Sequence, residues 1–251
     1  MSAPPIAVLI APGSNRDGEA ARALTMAGAL AEIVPIGDSL DRFAGVVLPG
    51  GFSYGDALGA GMRWALEAGQ AVRAFADGSR PILGICNGFQ VLVRAGLLPG
   101  EGAATDPNPT AGPTGPRPRR VTLTANASGR FVCRWVSLAT EPGNAAGLHG
   151  RLPAVIACPV AHGEGRLVVQ GEQALAQLQA EGNVLFRYVE GTNPNGSVED
   201  IAGLCDRRGL VWGLMPHPED HLSNEQNPFP HRRGRAGLAL FEAFVDRART
   251  I

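Results

Sequence analysis

The sequence predicts an α/β protein with a doubly wound, mostly parallel sheet, helices on both faces and a second half richer in strands. In the first half, short continuous apolar runs alternate with stretches that carry apolar residues at helical spacing. In the second half, short apolar runs follow one another across Gly-rich turns. With 251 residues, 45% of them hydrophobic and 18% charged, the chain can bury a large core without disulfides or metal.

The first half predicts the element order β-α-β-β-α-β-α. Its strands are expected at residues 6–10, 31–36, 45–48 and 81–85. Possible N-caps at Ser14, Asn15 and Asp17 predict a first helix that reaches about Leu30. A second helix is predicted by apolar residues at helical spacing, which are Leu58, Met62, Ala65, Val72 and Phe75. A third helix is expected at residues 88–95, and ligands are expected at the carboxyl ends of the strands.

The second half predicts six more strands, at residues 121–124, 131–138, 154–158, 184–189, 201–205 and 211–215. A final amphipathic helix carries Leu238, Phe241 and Val245, and its last turn holds Arg247 and Arg249, which are favourable against the helix dipole.

The length predicts one domain over residues 1–251. A change of composition to Pro, Gly, Thr and Asn predicts a surface loop or insertion at residues 99–118.

All 22 basic residues are arginine, so the chain contains no lysine. This excludes a P-loop lysine on phosphates, a Schiff base to a carbonyl or to pyridoxal phosphate, and a lysine general base. If the reaction sequence in which this protein acts uses ATP, the ATP is therefore expected to bind on another chain.

Charge and cysteine content exclude further classes of protein. The net charge is −1, and the arginine clusters at residues 117–120 and 232–235 lack interleaved aromatic residues, so no nucleic-acid partner is expected. No apolar run approaches the ~20 residues that span a bilayer, and residues 6–11 predict a first strand rather than a signal peptide. Four separated cysteines without a C-x-x-C pair predict free thiols, no metal site and a cytoplasmic protein.

The sharpest local signal is Gly84-Ile85-Cys86-Asn87-Gly88, which lies between a predicted strand and a predicted helix. It has the form of a nucleophile elbow with cysteine in the nucleophile position. The strained turn needs small neighbours, and the positive end of the following helix favours the thiolate. Cys86 is therefore the candidate nucleophile.

A cysteine nucleophile needs a base, and His217 is the best placed of the five histidines because it follows the strand predicted at 211–215. In an extended His-Pro-Glu segment, residues i and i+2 share one side, so Glu219 can orient the imidazole and stabilise its cation. Gly50 and Gly51 end another strand in paired glycines, whose N–H groups could join that of Asn87 in an oxyanion hole.

Together these residues resemble the class I (triad) glutamine amidotransferases, and longer strings narrow the resemblance to the glutaminase subunits of phosphoribosylformylglycinamidine synthase, an enzyme of purine biosynthesis. The strings run in order from residue 49 to residue 219. They are Pro-Gly-Gly-Phe-Ser-Tyr-Gly-Asp at 49–56, Gly-Ile-Cys-Asn-Gly-Phe-Gln at 84–90, His-Gly-Glu-Gly-Arg at 162–166, Asn-Pro-Asn-Gly-Ser at 193–197 and Met-Pro-His-Pro-Glu at 215–219.

The resemblance implies a flavodoxin-like fold and a reaction in which Cys86 forms a γ-glutamyl thioester with L-glutamine and ammonia is released. It implies that His217 and Glu219 are the partners of Cys86 and that Gly51 and Asn87 form the oxyanion hole. Its implied substrate-binding residues are Gly50, Gln90, His162, Gly163 and Glu164. A large synthetase subunit, with ATP and Mg²⁺, and a small accessory subunit are the implied partners.

Two features depart from the family pattern. Asp220 stands where members usually carry arginine after His-Pro-Glu. This difference concerns the docking of the partner subunit more than it concerns the triad. The Pro-rich segment at 99–118 also looks longer than usual. The strings at 162–166 and 193–197 could each be plain turns, since Gly and Asn-Gly favour turns.

Two other functions stay open. A cysteine hydrolase similar to intracellular peptidases or deglycases would share the fold, although those relatives usually carry histidine directly after the nucleophile, where this chain has Asn87. A non-catalytic regulatory or scaffolding subunit would be expected to have lost Cys86, His217 or Glu219, and all three are present.

Overall fold

One mixed sheet organises the protein. The computed structural model describes residues 2–100, 120–189, 191–228 and 236–250. The strands in these ranges are β1 (Pro5–Ile10), β2 (Leu30–Pro35), β3 (Gly45–Leu48), β4 (Ile82–Ile85), β5 (Val121–Thr124), β6 (Val132–Thr140), β7 (Ile156–His162), β8 (Arg166–Val169), β9 (Val184–Tyr188), β10 (Ile201–Cys205) and β11 (Val211–Leu214). The α-helices there are α1 (Asp17–Met26), α2 (Met62–Asp77), α3 (Asn87–Arg94), α4 (Gly171–Ala180) and α5 (Ala236–Arg249).

The large sheet has the order β2-β1-β3-β4-β11-β10-β9-β6-β7. Pairing is parallel from β2 through β11 and antiparallel from β11 through β7. A separate antiparallel pair joins β5 to β8. The predicted α/β class with a doubly wound sheet and a strand-rich second half is confirmed.

The central strands are the continuous apolar runs of the sequence. Every residue of β3, β4, β10 and β11 is buried, as expected for strands covered on both faces. Phe244 of α5 meets the edge of Trp212 on β11, with ring centroids 5.6 Å apart. Helix α1 packs beside α5, and α2 packs beside α3. Within the described ranges, no helix is both long and apolar enough to cross a membrane.

Two predicted helix boundaries were wrong in the first half. Helix α1 ends at Met26 rather than near Leu30, because Gly28 takes a left-handed φ of +86° and the chain then enters β2. None of the proposed N-caps bonds the helix; the Ser14 hydroxyl accepts the Ala11 N–H instead. Leu58 lies outside α2, with a left-handed φ of +68°.

The second half differs more from its prediction. Strand β7 begins and ends later than predicted and contains Pro159, which is tolerated because β7 is an edge strand. Strand β8 and helix α4 were not predicted. Residues 101–118 of the predicted loop lie outside the described residues, and the expectation of a single domain stays a prediction.

Candidate active site

Cys86 occupies a strained elbow between β4 and α3. Its backbone has φ +49° and ψ −104°, a region that costs a non-glycine residue about 1–3 kcal/mol. The neighbouring glycines leave no room for side chains: a Cβ on Gly88 would lie 2.0 Å from the Leu48 carbonyl oxygen, and one on Gly84 would lie 2.7 Å from the Gly88 carbonyl oxygen. Small residues on both sides are thus a steric requirement of this turn.

His217 and Glu219 follow β11, the parallel neighbour of β4. The Nδ1 atom of His217 lies 2.7 Å from Oε1 of Glu219, and both side chains are almost fully buried. The segment is not extended as predicted, because residues Pro218–Asp220 form a 3-10 turn with His217 before it. The expected pair forms nonetheless.

Electrostatics favour the charged form of this histidine. Burial opposes the imidazolium, but the charges of Glu219 and Cys86 and the hydrogen bond to Glu219 outweigh it, so the pKa of His217 lies well above its ordinary value. Because Nδ1 is used by Glu219, Nε2 is the ring nitrogen left for Cys86. The imidazole is thus suited to hold a proton taken from Cys86.

Gly50 and Gly51 follow β3, on the other side of β4. A Cβ on Gly50 would lie 2.6 Å from Cε1 of His217, so this glycine is packed against the imidazole. Gly51 has φ +150° and makes an isolated bridge to Ser14, whose Cα would be 2.8 Å from an added Cβ. Glycine is therefore required at position 50 by the close approach of the imidazole and at position 51 by the close approach of neighbouring backbone.

Asn87 is the first residue of α3, where helix geometry leaves N–H groups without an intrahelical acceptor. Its side chain accepts the Ser53 N–H at 3.3 Å and donates to Oε1 of Gln90 at 2.9 Å. Gln90 in turn donates to the Glu164 carbonyl at 2.6 Å. The buried amides of Asn87 and Gln90 thus link the loop after β3 to the turn after β7.

Glu164 joins the same two loops through its side chain. Its carboxylate accepts the Ala60 N–H at 3.3 Å and lies 3.8 Å from Arg94. The Gly163 carbonyl accepts the Asn126 N–H at 2.9 Å. The structure therefore gathers the predicted substrate-binding residues around the elbow, and their contacts with glutamine stay predictions.

His162, the last residue of β7, is buried and bonded to a residue that the sequence did not single out. Its Nδ1 lies 3.0 Å from Oδ1 of Asn126. Burial, and then the charge of His217, lower the pKa of His162 to about 4. Asn126 lies in an Asn-Ala-Ser-Gly turn, and its role beside His162 carries no local signal because its partners there, His162 and Gly165, are 36 and 39 positions away.

The turn at residues 193–197 supports the turn after β7. Asn195, which is buried, donates to the Gly165 carbonyl at 2.8 Å. Ser197 accepts the Leu167 N–H at 3.0 Å and donates to Asn195. This string of the sequence therefore has a structural task in positioning the residues after His162.

Strand β7 also presents backbone carbonyls that the sequence could not reveal. The Ala161 carbonyl lies 3.8 Å from Sγ of Cys86. The Pro159 carbonyl accepts the His217 N–H at 2.8 Å, and the Ala157 carbonyl is bonded by the ring of His221. The segment from His217 to His221 is thus anchored to the edge strand β7.

The side chain of Asp220 pairs with another residue of the chain. Its carboxylate lies 3.3 Å from Arg16, a residue of the loop after β1, and Arg16 also contacts Glu19. Burial and the charge of Glu219 raise the pKa of Asp220, while Arg16 opposes this shift. Asp220 is thus paired within this chain, with Arg16.

Two of the other three thiols, Cys158 and Cys205, are poor nucleophile candidates because they are buried. Burial raises the pKa of Cys158 well above its ordinary value and that of Cys205 to about 12. Cys133 is exposed, on β6. All four cysteines are free, and in the described part of the chain no three His, Cys, Asp or Glu side chains are grouped to hold a metal ion.

Comparison with known proteins agrees with this geometry. A family model described as the CobB/CobQ-like glutamine amidotransferase domain matches residues 3–246. The chain therefore belongs to this family of glutamine amidotransferases.

Individual relatives narrow the assignment. The chain is 40% identical to phosphoribosylformylglycinamidine synthase subunit PurQ of Treponema denticola, over 93% of this chain and 94% of the relative. It is 43% identical to the protein of the same name from Brucella suis, over 94% and 95%. A chain in the structure of PurLQS from Thermotoga maritima matches with a TM-score of 0.76 and 32% identity, covering 97% of this chain and 98% of that one.

Proposed function

We propose that this chain is the glutaminase subunit of a phosphoribosylformylglycinamidine synthase and that Cys86 is its nucleophile. The observation that carries the proposal is the meeting of the Cys86 elbow with the buried His217–Glu219 pair at the ends of two neighbouring parallel strands. The PurQ name shared by relatives of nearly the same length supports the choice of synthase.

In the first half-reaction, the Cys86 thiolate attacks the side-chain carboxamide carbon of L-glutamine. The carbonyl oxygen becomes an oxyanion, and the N–H groups of Gly51 and Asn87 stabilise it, each by about 3 to 4 kcal/mol if they act as in known oxyanion holes. Collapse of this intermediate breaks the C–N bond, and the His217 imidazolium gives its proton to the leaving nitrogen. Ammonia and a γ-glutamyl thioester result.

In the second half-reaction, water attacks the thioester carbon while neutral His217 accepts its proton. The C–S bond breaks, which releases glutamate and restores the thiolate–imidazolium pair. Glu219 holds the ring in the required orientation through Nδ1 and stabilises its cation. The lysine-free composition is no obstacle, because neither step needs an amine.

The ammonia is delivered to a large synthetase subunit, which converts formylglycinamide ribonucleotide to formylglycinamidine ribonucleotide with ATP and Mg²⁺. A small accessory subunit completes the assembly, as the relative in the PurLQS structure suggests. The chain itself uses no cofactor. Its location is cytoplasmic, which agrees with four free thiols.

A reactive glutamine analogue followed by peptide mass mapping tests this proposal. We expect label on Cys86, and none after the Cys86→Ala substitution, which should also abolish glutamine hydrolysis while the fold stays intact. Label on Cys133, Cys158 or Cys205, or an active Cys86→Ala protein, would contradict it. Glutaminase activity should also rise strongly when the synthetase is added; equal turnover with and without it would count against the delivery of ammonia.

A further inference from the structure

The buried amide of Asn126 uses all of its hydrogen-bonding capacity. Its nitrogen donates to the carbonyl oxygens of Arg130 and His162, each at 2.9 Å. Its oxygen accepts the Gly165 N–H at 3.1 Å and lies 3.0 Å from Nδ1 of His162. Reversing the amide would place its oxygen against two carbonyl oxygens, so these contacts determine which way the amide points.

This orientation determines the tautomer of His162. The Asn126 oxygen can only accept, so Nδ1 of His162 must carry the hydrogen. The low pKa of His162, about 4, keeps the ring neutral at neutral pH. Nε2 is then an unprotonated acceptor. The ring also packs closely against Gly165, where an added Cβ would lie only 2.3 Å from it, so the ring has little room to turn.

That acceptor is buried and has no hydrogen-bond partner within the described part of the chain. An unused buried acceptor is costly, which indicates that a donor arrives from outside. The end of β7 lies at the reacting centre: the Ala161 carbonyl is 3.8 Å from Sγ of Cys86, and the charge of His217 helps to lower the pKa of His162. A substrate donor at this centre is the N–H of the glutamine side-chain carboxamide.

We propose that Asn126 is a positioning residue that holds Nε2 of His162 as an acceptor for the side-chain carboxamide N–H of bound glutamine, so that His162 distinguishes an amide substrate from one without N–H. The inference rests on the proposed function. A site built to bond an N–H group discriminates strongly against an analogue that lacks it, because the buried acceptor is then left unpaired.

The test compares glutamine with its analogue glutamate γ-methyl ester, which can form the same thioester but has no carboxamide hydrogen. Both compounds carry the same α-ammonium and α-carboxylate groups. In the assembled synthase, His162→Leu should lower the ratio of kcat/KM for glutamine to kcat/KM for the ester by about tenfold, the size of one hydrogen bond. Asn126→Ala should lower the ratio in the same direction, because it frees the other tautomer.

Asn195→Ala is the matched control, since Asn195 is equally buried and supports the same turn through Gly165 without touching His162 Nδ1. It should lower kcat/KM for both substrates by the same factor. An equal loss for both substrates in His162→Leu and Asn126→Ala would overturn the proposal and assign these residues to the α end of the substrate or to folding alone.

A measurement on the unsubstituted chain guards against variants that fail to fold. Proton–nitrogen correlation spectra of the histidine rings should show His162 protonated at Nδ1 only at neutral pH. Protonation at Nε2 would overturn the proposal. Failure of the proposed function would look different, because neither glutamine nor the ester would be hydrolysed and Cys86 would take no label.

Discussion

The parallel half of the sheet (β2, β1, β3, β4 and β11) and its antiparallel half (β10, β9, β6 and β7) contribute differently to the site. The parallel strands end in Cys86, Gly50 and His217, the residues proposed to react or to line the reacting atoms. The antiparallel half contributes fixed carbonyls and His162 from its edge strand β7. Reacting groups thus lie where parallel strands end, as in other open α/β sheets.

The two halves also position their site residues by different means. Around the elbow, position is determined by close backbone packing, where Gly50, Gly84 and Gly88 leave no space for a methyl group. Beside β7, position is determined by the side-chain amides of Asn126 and Asn195. Added atoms should therefore damage the first region, and lost hydrogen bonds the second.

After the loss of Cys86 itself, the largest effect is expected from Glu219→Gln in the parallel half. The amide keeps the shape of the side chain but removes the charge that raises the pKa of His217 and can bind the wrong tautomer. We expect kcat for glutamine to fall by about 10³- to 10⁴-fold, as for the corresponding change in other triads. Steady-state kinetics measure this; a loss below tenfold would mean that the pair does not act as a triad.

Next in size is Gly50→Ala, which adds one methyl group 2.6 Å from Cε1 of His217. The added Cβ would also lie 3.3 Å from Nδ1, the atom that Glu219 bonds, so the imidazole must shift away from this partner; a displacement of about 1 Å costs about 10²-fold in kcat. Gly18→Ala is the control, since an added Cβ there meets nothing within 4 Å and lies in α1. The control should keep full activity; equal losses in both variants would refute the packing argument.

Asn193 lies between β9 and β10, two strands of the antiparallel half, and a change there should act mainly on stability. The Asn193 side chain accepts the N–H groups of Asn195 and Gly196 and donates to the Ser197 carbonyl. We expect Asn193→Ala to lower the free energy of unfolding by about 1–2 kcal/mol in urea titrations. Asn193→Asp should lose at least as much, because it keeps the two accepted bonds but sets an oxygen against the Ser197 carbonyl and the Asp200 carboxylate, which the amide nitrogen bonds. A larger loss of kcat than in Gly50→Ala would break the division between the halves.

The smallest effect concerns Arg16 and Asp220, whose side chains are 34% and 20% exposed. Arg16→Ala should cost less than about 1 kcal/mol, which is less than about 4 °C in Tm. Because Arg16 lowers a carboxyl pKa that burial raises, this cost is complete where Asp220 is ionised and fades as the pH falls through its pKa. Thermal unfolding at neutral and acidic pH checks the sign. The exchanged pair Arg16→Asp with Asp220→Arg should recover the loss; a further loss would contradict the pairing.

The sequence predicted the parallel half well because its strands are buried on both faces and read as continuous apolar runs, as in residues 45–48. Cys86, His217 and Glu219 were also singled out, since each follows such a run, and their catalytic roles stay predictions. Strand β7 was misplaced because Pro159 looks like a strand breaker until its edge position is known. Asn126 and the Ala161 carbonyl act through tertiary contacts, which no local pattern records.

The parallel pairing of β4 with β11, in which Ile85 faces Leu214, has a consequence for how activity appears during folding. Cys86 and His217 are 131 positions apart in the sequence, and this long-range pairing makes them neighbours. Such contacts form slowly because a long loop must be closed first. A partly folded chain therefore holds an ordinary thiol, and the ability to split glutamine arises only once the sheet is complete.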